Sequence, residues 1–170
     1  MKNGIRLQTS TSQKEFISGR IKKLDDGLRY FDQLILEKPL PSNDTFCHVF
    51  SSISKTRCYS DVIMLYKKMN LVGVKPDLYT FNILINCCCQ SGKVDYGFSL
   101  LGEILKRGYH PDTVTFTTLI KGLCLQGKID SASKVCNKMT QTGIQPNAMT
   151  CNSLIHGLCR SDQTHFAKEV

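Results

Sequence analysis

The sequence predicts an all-α solenoid of stacked helical hairpins, and three observations carry that expectation. Four of the five prolines, Pro41, Pro76, Pro111 and Pro146, stand 35 residues apart. The same interval separates Gly73, Gly108 and Gly143, separates Gly92 and Gly127, and separates Cys89, Cys124 and Cys159. Residues 78–112 laid over 113–147 give ten identities in 35 without a gap, among them Thr80/Thr115, Phe81/Phe116, Leu84/Leu119, Ile85/Ile120, Lys93/Lys128 and Asp95/Asp130. Self-similarity at a fixed period of this length is the signature of a repeat array.

The units follow in order. Residues 1–24 form a basic lead-in with Lys2, Arg6, Lys14, Arg20, Lys22 and Lys23 against the single acid Glu15. With its Ser and Thr content it reads either as a transit-like targeting segment or as a lead-in whose second half is helical. Residues 25–42 look like the back half of a repeat ending in Pro41-Ser42. Residues 43–77 form a divergent repeat with Phe46, Gly73 and Pro76 in register, and residues 78–112 and 113–147 are two full repeats. Residues 148–170 read as a truncated repeat that stops inside its second helix.

Each unit reads as two helices. In the first, Phe81, Leu84, Ile85 and Cys88, then Phe116, Leu119, Ile120 and Leu123, fall at i, i+3, i+4 and i+7 and make one buried stripe. In the second, the stripe is Val94, Gly97, Leu101 and Ile104, matched by Ile129, Ala132, Cys136 and Met139. Asp95 and Asp130 are expected as N-caps after a Gly-Lys turn, and Ser42, Asp77, Asp112 and Asn147 as N-caps of first helices. Gly108 and Gly143 suit the end of the second helix, where Pro111 and Pro146 block its continuation. A lone hairpin cannot cover its apolar faces, so the units must stack.

Composition narrows the function. A net charge of +8 and a pI near 9.1 favour an anionic partner, nucleic acid or an acidic membrane surface. No apolar run approaches the roughly 18 residues of a membrane span. Nine cysteines without a secretory signal fit a reducing compartment with buried free thiols. Cys87, Cys88 and Cys89 are adjacent, so on a helix they diverge by about 100° and cannot converge on one zinc. No CxxC occurs, and Cys151, His156 and Cys159 fall on repeat positions, so no metal and no cofactor are expected. No Ser/His/Asp grouping, carboxylate pair or phosphate-cradling glycine loop is present, and an enzyme is not expected.

The stretches DLYTFNILINCCCQSGKVDYGFSLLGEILKRGYHPD, TVTFTTLIKGLCLQGKIDSASKVCNKMTQTGIQPN and MTCNSLIHGLC resemble the pentatricopeptide repeat over residues 25–170. The plain 35-residue spacing is similar to the P-class of that family and to plant fertility-restorer-like members. The resemblance implies a right-handed superhelix of tetratricopeptide-like hairpins. It also implies single-stranded RNA as the partner, read at one base per repeat in organellar RNA processing, stability or translation. Mitochondrion is the expected location, with chloroplast the alternative. A monomer is expected, with other organellar RNA-processing proteins as further partners.

In the family the fifth residue of a unit and the thirty-fifth set base choice. Carried over, Asn82 with Asp112 resembles a uracil-preferring pair, Thr117 with Asn147 an adenine-preferring pair, and Asn152 suggests a pyrimidine. The implied target core is 5′-U-A-pyrimidine. Tyr79, Val114 and Met149 would sandwich bases, on a face with Asn86, Lys121 and His156 expected opposite the buried stripe. Lys121 and Arg160 are the candidate phosphate contacts. Asp44, and Cys47 with Asp77, depart from the pattern, so the unit at 43–77 is expected to be structural or tolerant of any base. Capping alone would also account for Asp112 and Asn147, and solvated polar positions for Asn82, Thr117 and Asn152. Two readings compete with RNA binding: a helical scaffold for proteins, and a truncated restorer-like remnant.

Overall fold

A computed structural model describes residue 21 and residues 23–169, with side chains to residue 160. The lead-in at 1–24 therefore lies outside the described residues apart from its last positions. The described residues form eight α-helices and no strand: α1 (Leu24–Leu34), α2 (Asn43–Lys55), α3 (Tyr59–Leu71), α4 (Leu78–Gln90), α5 (Val94–Lys106), α6 (Thr113–Leu125), α7 (Ile129–Gln141) and α8 (Ala148–Glu169). No helix among them is long and apolar enough to cross a membrane. The chain divides into two compact units, Met1–Pro76 and Asp77–Val170.

In the first unit α1 packs on α2 and α2 on α3. Its core is aromatic: Phe31 meets Phe46 edge-on at 5.6 Å and stacks against Phe50 at 6.1 Å. Ile53, Val62, Leu65 and Met69 are buried with them. Gly27 lets α1 come close, because a β-carbon there would stand 2.5 Å from Ile53 Cγ1.

In the second unit α4 pairs with α5 and α6 with α7, while α4, α6 and α8 pack side by side in succession. The expected first-helix stripe is buried in both hairpins, with Phe81, Leu84, Ile85, Cys88, Phe116, Leu119, Ile120 and Leu123 removed from solvent. Burying each Phe, Leu or Ile contributes about 1.5–3 kcal/mol. That term holds the hairpins together, since 13-residue helices are marginal alone.

Recurring glycines end the helices. Gly92 has φ +74°, and the Lys93 N–H reaches back to the Cys88 carbonyl at 2.8 Å. Gly127 repeats this at φ +71°, with Lys128 N–H on Leu123 O at 3.0 Å. This is the Schellman closure, in which the left-handed residue is nearly always glycine. In the divergent unit the same slot holds Arg57, at φ +63°.

Four expectations are corrected. Asp95 and Asp130 lie one residue inside their helices; the N-caps are Lys93 and Lys128, which make no side-chain cap bond. The two acids favour the positive helix end instead. Ser42 occupies an N-cap without a side-chain cap bond to the backbone. In α5 the buried residue is Leu100 and not Leu101, which lines an outer apolar recess with Leu105 and Phe116. Finally, α8 runs unbroken from Ala148 to Glu169, so no second helix begins there. The turn slot of Gly92 and Gly127 is occupied by Asp162, and without a left-handed residue the helix has no stop.

Candidate nucleic-acid interface

The first helices α4, α6 and α8 carry the candidate residues. Each starts at a cap that does more than close the helix. Asp77 accepts from the Thr80 N–H at 2.8 Å, Asp112 from the Thr115 N–H at 2.8 Å, and Asn147 from the Thr150 N–H at 3.0 Å. These are the expected N-caps, each worth about 1 kcal/mol.

Asn82 and Thr117 are not solvated positions on an open face. They are only 9% and 7% exposed, because the following first helix packs over them. The Asn82 amide donates to Asp112 Oδ1 at 3.3 Å, and its carbonyl accepts from the Thr115 hydroxyl at 2.7 Å. Fifth and thirty-fifth residues of one unit are thus joined directly. Thr117 Oγ1 lies 2.7 Å from Thr150 Oγ1, and that hydroxyl lies 3.0 Å from Asn147 Oδ1. Asn152 is exposed.

Tyr79, Val114 and Met149 project from α4, α6 and α8 and are 51%, 55% and 63% exposed. Between α6 and α8, Val114 and Met149 flank a cavity of about 330 Å³. Thr117, Asn147, Asn86 and Lys121 also line it. Two apolar side chains, several neutral polar groups and a cation around one cavity suit a flat, polar-edged ring with a phosphate beside it. Asn86 is half-buried, while Lys121 and His156 are exposed. Arg160 is exposed on α8 but does not line this cavity.

The cysteine triplet faces away from this chemistry. Burial pushes the Cys87 and Cys89 thiols up to about 12, with neighbouring cysteines adding to the effect. Burial likewise raises Cys88 to about 11, partly countered by Lys93. These are inert core thiols, since the thiolate is the reactive form. Cys89 has a packing role: a β-carbon on Gly122 would come within 2.7 Å of Cys89 Cβ and closer still to its sulfur. Gly157 meets Cys124 the same way, at 2.8 Å from Cβ.

Sequence reasoning missed Thr115 and Thr150, and the signal was present: Thr80, Thr115 and Thr150 recur at 35 residues and are fully buried. A buried hydroxyl kept at one slot of every unit requires a polar partner.

The PPR repeat family matches residues 41–90, 80–125 and 111–160, well over half the chain. The mitochondrial pentatricopeptide repeat-containing protein At1g12300 of Arabidopsis thaliana is 43% identical over 87 residues, which is 51% of this chain and 14% of that protein. The chain thus spans about a seventh of that relative's length. Maize PPR10, solved with an 18-nucleotide psaJ RNA element, superposes with a TM-score of 0.76 at 23% identity, covering 96% of this chain and 24% of PPR10. The PPR domain of Arabidopsis thaliana protein-only RNase P 1, solved with tRNA, gives a TM-score of 0.71 at 17% identity, covering 94% of this chain and 83% of that domain. These likenesses bear out the all-α solenoid class. With its 35-residue period written in proline, glycine and threonine, this chain belongs to the pentatricopeptide (PPR) repeat family.

Proposed function

We propose that the chain binds single-stranded RNA along α4, α6 and α8, one nucleotide at each junction between successive first helices. The observation that carries this reading is the cavity between Val114 and Met149, with Thr117, Asn147 and Lys121 around it. Val114 and Met149 hold the two faces of a base, Thr117 and Asn147 meet its edge, and Lys121 takes the phosphate. Tyr79 offers the same support one unit earlier, where Asn82 and Asp112 meet the base, and Asn152 serves the third site. The RNA core read is 5′-U-A-pyrimidine, with Arg160 as a peripheral phosphate contact.

The reading is supported by the company the fold keeps, since PPR10 and the RNase P 1 domain were both solved with RNA. The names of several relatives include mitochondria, which favours that compartment over the chloroplast for an organellar RNA-processing role. The chain acts by occupancy as a monomer of the plain 35-residue class. Holding a transcript segment shields it, remodels it or presents it to other RNA-processing proteins, with no bond made or broken by this chain. Stacking contributes about 1–3 kcal/mol per base, so a few junctions give modest affinity.

The test is fluorescence anisotropy with short RNAs varied at three central positions, at two salt concentrations. Enrichment of U-A that shifts when Asn82→Thr or Thr117→Asn is introduced is the expected result. Binding with salt sensitivity but no base preference would reduce the chain to a basic solenoid. No binding at all would overturn the proposal in favour of a protein scaffold.

A further inference from the structure

Phe81 and Phe116 hold the same slot in successive repeats, and the chain covers them differently. Over Phe81 the cover is the chain's own. The Arg107 guanidinium lies 5.6 Å from the ring centroid, and the Tyr109 ring stands 6.4 Å away. Glu103 accepts from Arg107 Nε at 2.8 Å and holds the guanidinium in place. One repeat later the matching residues are Thr142, Ile144 and Lys138. Threonine is too short to reach across a ring as arginine does, and lysine cannot stand in for the carboxylate. The space beside Phe116 stays open as the outer recess, about 520 Å³, lined by both α5 and α7.

The walls of this recess are Leu101, Leu105, Pro111, Phe116 and Ile144, and Leu105 is 58% exposed. Lys138 and His110 supply a polar rim, and no lining residue is acidic. Among the described residues Lys138 pairs with no acid. Thr142 spends its hydroxyl on the Met139 carbonyl, at 2.7 Å. The volume lies within the range of ligand-sized pockets. A nucleobase would be poorly served here, because its polar edge would meet aliphatic walls. Phe116 is only 6% exposed and offers no open face for stacking. An apolar side chain suits these walls better.

We propose that the recess beside Phe116 docks a partner protein through a large apolar or aromatic side chain that neighbours an acidic one. The preceding repeat supplies the template, since Arg107 and Tyr109 cover the ring there and Glu103 completes an ion pair. At Phe116 the fixed charge is reversed. An occupant that restores the arrangement therefore brings an apolar group for the walls and a carboxylate for Lys138. The net charge of +8 favours an acidic partner in the same direction. The recess shares no lining residue with the cavity at Val114 and Met149, so the proposal does not depend on RNA binding there.

The experiment titrates the whole isotope-labelled chain with the acetylated, amidated peptide Gly-Ser-Phe-Asp-Ser-Gly and follows backbone amides by NMR. Saturable shifts at Leu105, Lys138 and Ile144 are the expected result. Exchanging the peptide's Asp for Asn should weaken binding about two- to fivefold, the worth of an exposed ion pair. Exchanging its Phe for Ala should weaken it roughly tenfold or more. Thr142→Arg together with Lys138→Glu rebuilds the plug that covers Phe81 and should cost roughly tenfold as well. Lys138→Glu alone should turn the preference toward a Phe-Lys peptide. Both positions are exposed, and circular dichroism checks that the variants fold. The absence of saturable shifts, equal binding of the Asp, Asn and Lys peptides, or full binding by the plugged variant overturns the proposal. An oligoribonucleotide that moves the same amides and displaces the peptide overturns it too, and assigns the recess to RNA.

Discussion

Cys89 on α4 seats directly against Gly122 on α6, and no side chain fits between them: a β-carbon at Gly122 would stand 2.7 Å from Cys89 Cβ. The pair sets how closely α4 and α6 approach, and Cys124 against Gly157 does the same for α6 and α8, where Val114 and Met149 stand. Gly122→Ala is therefore expected to destabilise by about 1–3 kcal/mol through overpacking, even though alanine favours helices. Gly102 provides the contrast, because nothing lies within 4 Å of its added β-carbon. Gly102→Ala should stabilise by roughly 0.5–1 kcal/mol, since only propensity changes there. Urea unfolding of the two variants checks the opposite signs.

Arg57 sits at φ +63° in the slot that glycine fills in the two full repeats. The left-handed conformation costs a residue with a β-carbon about 1–2 kcal/mol. Arg57→Gly should stabilise by about 1 kcal/mol after the added freedom of the unfolded chain is subtracted. Thermal unfolding is the measurement, and a lower Tm would show that Arg57 makes compensating contacts.

The buried triplet gives the chain an alkaline weakness. Cys87 and Cys89 are pushed up to about 12 from 9.0, and Cys88 to about 11, chiefly by burial. Between pH 9 and those values the unfolded chain loses protons that the folded chain keeps. The folded state then binds more protons, so stability is full below pH 9 and falls as pH rises. The urea midpoint should drop between pH 8 and pH 10, and should drop less in a variant with all three cysteines changed to alanine. Exposed Cys151 and Cys159 should react with a thiol reagent at pH 8, well before the triplet.

Legibility in the sequence followed the range of the interaction that fixes each feature. Proline and glycine act on their own backbone, so Pro76, Pro111, Gly92 and Gly127 announced the period and the helix ends without any tertiary knowledge. The stripe of Phe81, Leu84, Ile85 and Cys88 was equally plain, because a helix buries one face. The burial of Asn82 is not legible in its own helix, because its cover comes from Thr115, 33 residues further on. The same holds for Gly122, whose reason for being glycine is Cys89 on another helix. The cap of α5 lies two residues before Asp95: the turn that begins at Gly92 hands the cap position to Lys93, which makes no side-chain cap bond.

Lys121 separates phosphate attraction from base reading. It is exposed on α6 and lines the cavity beside Asn147. Each phosphate contact on a single strand contributes about −0.7 to the slope of log K against log salt. Lys121→Ala should make that slope shallower by roughly this amount and weaken every RNA sequence alike. Asn147→Ala removes no charge, so the slope should hold while the base preference at the Thr117 site relaxes. Anisotropy titrations at four salt concentrations against matched and mismatched RNAs distinguish the two effects. If Lys121→Ala shifted base preference instead, the cation would be reading the base edge and the phosphate would have to lie elsewhere on α6 or α8.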